Sequence, residues 1–263
     1  MRDIEWEGGC EDPRVVEDEN GIYYMTYTGF NGHSARLCVA VSKDLYEWEK
    51  KGAAFARAFN GKYRKTWSKS GSIVCRLDGE KLVAAKINGA YWMYWGDSTI
   101  FLATSDDLVN WTPVEKRHEA AKLLEYTGND FNVHISYGES FLFPVFTIRA
   151  NRFDSRLVEP GPPALWTANG ILFIYNSAND AAQGDPSLPD GSYAAGQVLL
   201  DPADPASIIG RTTRPFMIPD MAHEKTGQTD NVCYLEGLAF YQGSWWLYYG
   251  TADSKIAVAK YTP

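Results

Sequence analysis

One pattern recurs along this chain and restricts what it can fold into. It runs as a glycine turn, an aromatic strand of alternating polarity, an alanine-rich strand, and a Ser/Asp turn closed by tryptophan. Two copies are complete. Residues 21–27 lead to 35–40 and then to Ser42-Lys43-Asp44-Leu45-Tyr46-Glu47-Trp48; residues 89–95 lead to 100–104 and then to Ser105-Asp106-Asp107-Leu108-Val109-Asn110-Trp111. A third copy runs through 170–175 to 192–200, and a last through 243–249 to 255–259. Period-two alternation between Gly, Asn and Asp turns specifies antiparallel sheet, and helix signals are nearly absent. Multi-stranded units of roughly 40 to 50 residues are what β-propeller blades look like in sequence. A β-sandwich would also alternate, but it would not repeat the tryptophan-closed turn. The expected fold is therefore all-β, a propeller with four recognisable repeats. The whole chain, 1–263, is expected to be a single domain, a size that all-β folds reach undivided. Residues 179–191, with Pro186 and Pro189, read as a long loop at the mouth.

Composition removes several classes of function. Hydrophobic residues at 45% and charged residues at 22% are ordinary for a globular chain, whereas aromatics at 14%, with 9 Trp and 16 Tyr, are in excess. Flat rings with polar tips serve both sheet packing and stacking on sugars. A net charge of −8, with no run of Lys and Arg, argues against nucleic acid as a partner. The four cysteines, Cys10, Cys38, Cys75 and Cys233, have no metal-ligand spacing and are expected as free buried thiols. No metal is required, and no glycine-rich nucleotide motif is present, so no cofactor is expected. The N-terminus lacks a signal-peptide core and no segment is long enough to span a membrane, so a soluble, cytoplasmic protein is expected.

The chemistry is expected from Gly8-Gly9-Cys10-Glu11-Asp12-Pro13-Arg14, which leads into an aromatic strand. Pro13 pushes the residue before it towards extended geometry, aiming the Asp12 side chain, and Arg14 can pair with a nearby carboxylate and hold it ionised. Together with Ala35-Arg36-Leu37, Ser42 to Trp48, Glu159-Pro160-Gly161-Pro162-Pro163 and Tyr248-Tyr249-Gly250-Thr251-Ala252-Asp253, this segment resembles glycoside hydrolase family 130 over essentially the whole chain. That family comprises β-mannoside phosphorylases and β-mannosidases on a five-bladed propeller. The resemblance implies that Asp12 is the general acid, reaching the glycosidic oxygen through a hydroxyl of the substrate. It also implies that Asp253 binds sugar and that Arg36 and Lys69 line the pocket. The chain begins almost at the Asp12 motif, where relatives carry a further blade. Edges left open by a missing blade would associate, so a homo-oligomer joins the oligosaccharide substrate among the expected partners.

Two departures from the resemblance bear on mechanism. Phosphorylases tend to carry His-Arg-Pro after the central aromatic strand, whereas Tyr94-Trp95-Gly96-Asp97 offers no cation there. Glu159 and Glu236 stand where phosphorylases more often have small or neutral residues. A carboxylate repels a phosphate dianion but can take a proton from water, which favours hydrolysis. An inverting glycosidase needs an acid and a base roughly 6.5 to 9.5 Å apart. Asp12 is expected as the acid and Glu159 or Glu236 as the base, with Asp97 and Asp253 orienting sugar hydroxyls. Glu159 could equally be a turn residue and Glu236 an exposed strand position. His134 could bind sugar or phosphate, or be structural. The alternatives to a β-mannoside hydrolase are a phosphorylase that uses inorganic phosphate and a non-catalytic sugar-binding propeller.

Overall fold

The computed structural model describes residues 2–117, 124–128, 131–135 and 140–263; for Arg2, Arg117, 124–128 and 131–135 it gives the backbone alone. The chain is all-β. Each repeat read from the sequence is an antiparallel meander. The first unit comprises strands Gly9–Glu17, Tyr23–Phe30, Ala35–Ser42 and Glu49–Ala53, each paired to the next. The second comprises Gly71–Asp78, Ala90–Trp95, Thr99–Ser105 and Thr112–Pro113. The third runs Leu157–Pro160, Gly170–Ala178, Tyr193–Asp201 and Asp204–Arg211. The fourth has three strands, Cys233–Tyr241, Ser244–Thr251 and Lys255–Tyr261. Among the described residues the α-helices are two short ones, Arg2–Glu5 and Ala222–Lys225, and no helix is long and apolar enough to cross a membrane.

The tryptophan-closed turn has the same physical cause in both of its copies. Ser42 Oγ accepts from the Asp44 and Leu45 N–H groups, and Asp44 Oδ1 accepts from those of Tyr46 and Glu47. Ser105 and Asp107 repeat this with Asp107, Leu108, Val109 and Asn110. Leu45 and Leu108 take left-handed backbone at φ 67° and 63°, and each leaves its carbonyl to accept the indole N–H of Trp48 or Trp111 at 3.0 Å. Short polar side chains thus satisfy the backbone donors that a tight reversal would otherwise orphan.

Aromatic and aliphatic side chains fill the spaces between units. Leu37, Phe55, Ile73, Met93, Trp95 and Trp111 pack where the first two units meet, and Tyr94, Ile100, Val158, Phe173 and Tyr175 pack where the second meets the third. Hydrogen bonds stitch the same seams. Thr26 Oγ1 donates to the Gly71 carbonyl at 2.5 Å, Ser72 Oγ to that of Pro162 at 2.7 Å, and the Asn176 amide both donates to and accepts from the Leu235 backbone at 2.9 and 2.7 Å. Cys38, Cys75 and Cys233 are free and buried, as expected, whereas Cys10 is free and exposed.

Candidate active site

The first strand of each unit, or the turn that leads into it, delivers reactive side chains to a common centre. Asp12 comes from the first unit, Lys69 and Ser70 from the turn before Gly71–Asp78, Glu159 from the third and Glu236 from the fourth. Two of the carboxylates stand on β-bulges. Asp12 and Pro13 together oppose a single residue between the pairs Glu11↔Thr28 and Arg14↔Thr26, and Glu236 is the extra residue between Leu235↔Tyr249 and Gly237↔Tyr248. A bulge re-aims the side chain at the unpaired position, and Pro13, which has no N–H for a ladder, fits one without loss. Asp12 is therefore not extended as its proline predicted: its φ is 56°, in the left-handed region. The bulge overrides the local preference.

Lys69 Nζ lies 3.7 Å from Asp12 Oδ2 and 3.6 Å from Glu159 Oε1. Ser70 Oγ donates to Glu159 Oε1 at 2.6 Å and stands 3.4 Å from both Asp12 Oδ2 and the Tyr234 hydroxyl, which itself lies 3.4 Å from Asp12 Oδ2. Two of these contacts bound the separation of the acids. Ser70 Oγ sits 2.6 Å from one carboxylate and 3.4 Å from the other, so the facing oxygens of Asp12 and Glu159 are at most about 6.0 Å apart.

Arg14, expected to pair with a carboxylate, does something different. Its guanidinium is 2% exposed and donates to three main-chain carbonyls, those of Asp12 at 2.6 Å, Pro160 at 2.6 Å and Gly161 at 2.7 Å. Burial works against its charge, but Tyr234, Asp12, Glu236 and Glu159 outweigh it and raise its pKa. It is a charged staple beneath the carboxylates.

These surroundings set the proton affinities. Burial pushes the Glu236 carboxyl up to about 7 against the pull of Arg14, and Asp12, hydrogen-bonded to it and itself acidic, adds to the rise. Burial also raises Glu159, opposed by Lys69, with Asp12 contributing in the same direction. For Lys69 burial would lower the pKa, yet Glu159, Asp12, Glu11 and Asp97 raise it, so the ammonium stays charged. Tyr234 is driven well above the ordinary phenol range by burial and then by Asp12 and Glu159. The result is two buried carboxyls, Glu236 and Glu159, whose ionisation burial opposes, beside two cations, Lys69 and Arg14, that stay charged.

Asp12, Lys69, Glu159 and Glu236 thus come together. Of the other sequence candidates, Asp97 and Asp253 are linked to this cluster electrostatically, whereas the contacts of Arg36 are local. Asp97 is close enough to influence Lys69 and accepts the Trp67 indole N–H at 2.9 Å. Asp253 is exposed at φ 49° and acts electrostatically on Tyr193, which also feels Glu159. Arg36 donates to Ser34 and to its neighbour's carbonyl, Ala35 O. His134 is on the hairpin strand Phe131–Ile135, opposite Glu125, and its side chain lies outside the described residues' side chains. Sequence reasoning missed Ser70 and Tyr234. Ser70 adjoins the lysine it singled out, and a serine before glycine at a strand entrance was the available signal; Tyr234 had none.

An all-β chain whose successive units gather three carboxylates around a lysine has the groups that glycosyl transfer to a small acceptor requires, and it has the build of a carbohydrate-active enzyme. Comparison with known proteins gives the particular class. A family model described as beta-1,4-mannooligosaccharide phosphorylase matches residues 2–262, and the chain belongs to that family, glycoside hydrolase family 130. It is 32% identical to a 1,2-beta-oligomannan phosphorylase of Thermoanaerobacter sp. (strain X514), over 95% of this chain and 67% of the relative. Among solved structures, a putative glycosidase from Bacteroides thetaiotaomicron is 46% identical with a TM-score of 0.87, over 99% of this chain and 69% of that one. Another, from work describing family members that are glycoside hydrolases targeting β-1,2 mannosidic linkages in Candida mannan, is 44% identical with a TM-score of 0.87, over 99% and 67%. The chain spans about two thirds of the length of these relatives.

Proposed function

We propose that this chain is a β-propeller domain on the family's five-bladed plan, with four units in the present sequence, and that it hydrolyses β-mannosidic linkages in oligosaccharides with inversion. Convergence of four innermost strands on one centre supports the propeller. The observation that carries the hydrolytic reading is that the cations at the acid cluster are already engaged. Arg14 spends its N–H groups on three carbonyls, and Lys69 is shared between Asp12 and Glu159. A phosphate dianion entering here would meet Asp12, Glu159 and Glu236 at close range with no free charge to offset them among these groups, whereas water would meet bases.

In this reading Asp12 supplies the proton for leaving-group departure. Its hydrogen bond to Glu236, a carboxyl protonated up to about pH 7, keeps a proton at the pair. Glu159, which accepts from Ser70 and faces Lys69, takes the proton of the attacking water. The roughly 6.0 Å ceiling between their facing oxygens keeps Asp12 and Glu159 close, towards the short end of the 6.5–9.5 Å that separates acids flanking a bond directly. It suits an acid acting through a sugar hydroxyl, because such an acid need not stand across the bond from the base.

Phosphorolysis is the second reading. The family model and the named Thermoanaerobacter relative favour it, and Arg156, exposed and acting electrostatically on Tyr193, is the cation it would call on. Incubation with β-1,2- and β-1,4-mannobiose separates the two. Hydrolysis gives free mannose without phosphate, with the α-anomer first in the NMR spectrum; phosphorolysis gives mannose 1-phosphate and stalls until phosphate is added. Binding of either disaccharide without turnover, unchanged in Asp12→Asn, would show a sugar-binding protein instead.

A further inference from the structure

We propose that Ser70 is the relay that returns the proton from Glu159 to Asp12 after each turnover, an inference that rests on the hydrolytic reading above. Inverting hydrolysis breaks the bond from C1 to the leaving oxygen and forms one from C1 to the water oxygen. It leaves Asp12 without its proton and Glu159 with one too many. Before the next cycle that proton has to cross between them. Glu159 is 2% exposed, so exchange with bulk solvent is obstructed on its own side.

The Ser70 hydroxyl bridges the gap. It stands 2.6 Å from Glu159 Oε1 and 3.4 Å from Asp12 Oδ2, and it is fully buried. Passing its own O–H proton to Asp12 while accepting the Glu159 proton moves one proton across and leaves the serine neutral and unchanged. Lys69 also stands near both acids, but at 3.7 and 3.6 Å it is beyond hydrogen-bond reach of either, so its role is that of a fixed charge.

The backbone holds Ser70 in this position at some cost. Its φ of 44° is in the left-handed region that side-chain-bearing residues avoid, and a serine there rather than glycine carries strain that its environment has to sustain. The turn is pinned from the neighbouring unit by Thr28 Oγ1, which accepts from the Ser70 N–H at 3.4 Å, and by Thr26 Oγ1, which donates to the Gly71 carbonyl at 2.5 Å. Glycine would suit this backbone better and would lack the hydroxyl.

The experiment compares wild type with Ser70→Ala and Ser70→Gly on β-mannobiose, without phosphate, with thermal melts confirming that each variant is folded. Proton return follows the bond-breaking step, so it limits kcat and not kcat/KM. Both variants are expected to lose at least about tenfold in kcat. They should keep kcat/KM within about twofold on the pH plateau and recover kcat when a small acid such as acetate or imidazole is supplied. An equal fall in kcat and kcat/KM with no buffer rescue, or no fall at all, overturns the relay and leaves hydrolysis standing. A wild-type enzyme that turns over only with phosphate overturns hydrolysis itself, and the relay with it.

Discussion

Asp12 shows how far one residue's chemistry depends on backbone that its neighbours impose. A proline after an acid predicts an extended acid, but two residues facing one across the strand pair rotate Asp12 to φ 56° and turn its carboxylate towards Lys69, Ser70 and Glu236. Asp12→Asn keeps the shape and removes the proton. Turnover is expected to fall by about 10² to 10⁴-fold with sugar binding retained, as checked by initial rates and calorimetry. Glu236 gives a stability prediction with a definite sign. Its pKa rises from the ordinary carboxyl range to about 7 on folding, so its contribution is fully present below the unfolded value and is lost as pH climbs through about 7. Melting temperatures across pH 4 to 8 should show wild type losing stability over that window and Glu236→Gln losing less. At this scale the sequence pointed to Asp12, Lys69, Glu159 and Glu236 by residue type and resemblance. It could not show that Arg14 binds carbonyls, because those of Pro160 and Gly161 lie far along the chain.

The repeated turn was legible as an element because its cause is local. Ser, Asp, Leu and Trp at fixed offsets make the same bonds in both copies, and none of those bonds needs a partner from elsewhere. The energetic weight of the copies differs, and that was not legible. Trp111 is 1% exposed and packed in the core between the first two units, while Trp48 is half-buried against a small cluster of its own unit. Trp111→Ala is expected to cost about 3 to 5 kcal/mol in urea unfolding. Trp48→Ala should cost markedly less, although the two turns are alike in sequence.

At the scale of the molecule, the seams between units decide the site. Asn176 imitates a strand edge, giving and taking one hydrogen bond each with the Leu235 backbone, and so fixes the strand that carries Glu236 against the one facing Glu159. Asn176→Ala would leave a buried N–H and a buried carbonyl unpaired, each at about 1–3 kcal/mol. A lower melting temperature is expected, together with a fall in kcat larger than in KM, since the two glutamates would lose their common frame. The strands, the turns that separate them and the acids they carry could be read along the chain, because alternation, glycine punctuation and side-chain chemistry act within a few residues. Which acids meet, which proton affinities shift and which cation is spent on the backbone emerged only on folding. Those outcomes depend on burial and on charges brought together from four separate units, and no local stretch of chain contains them.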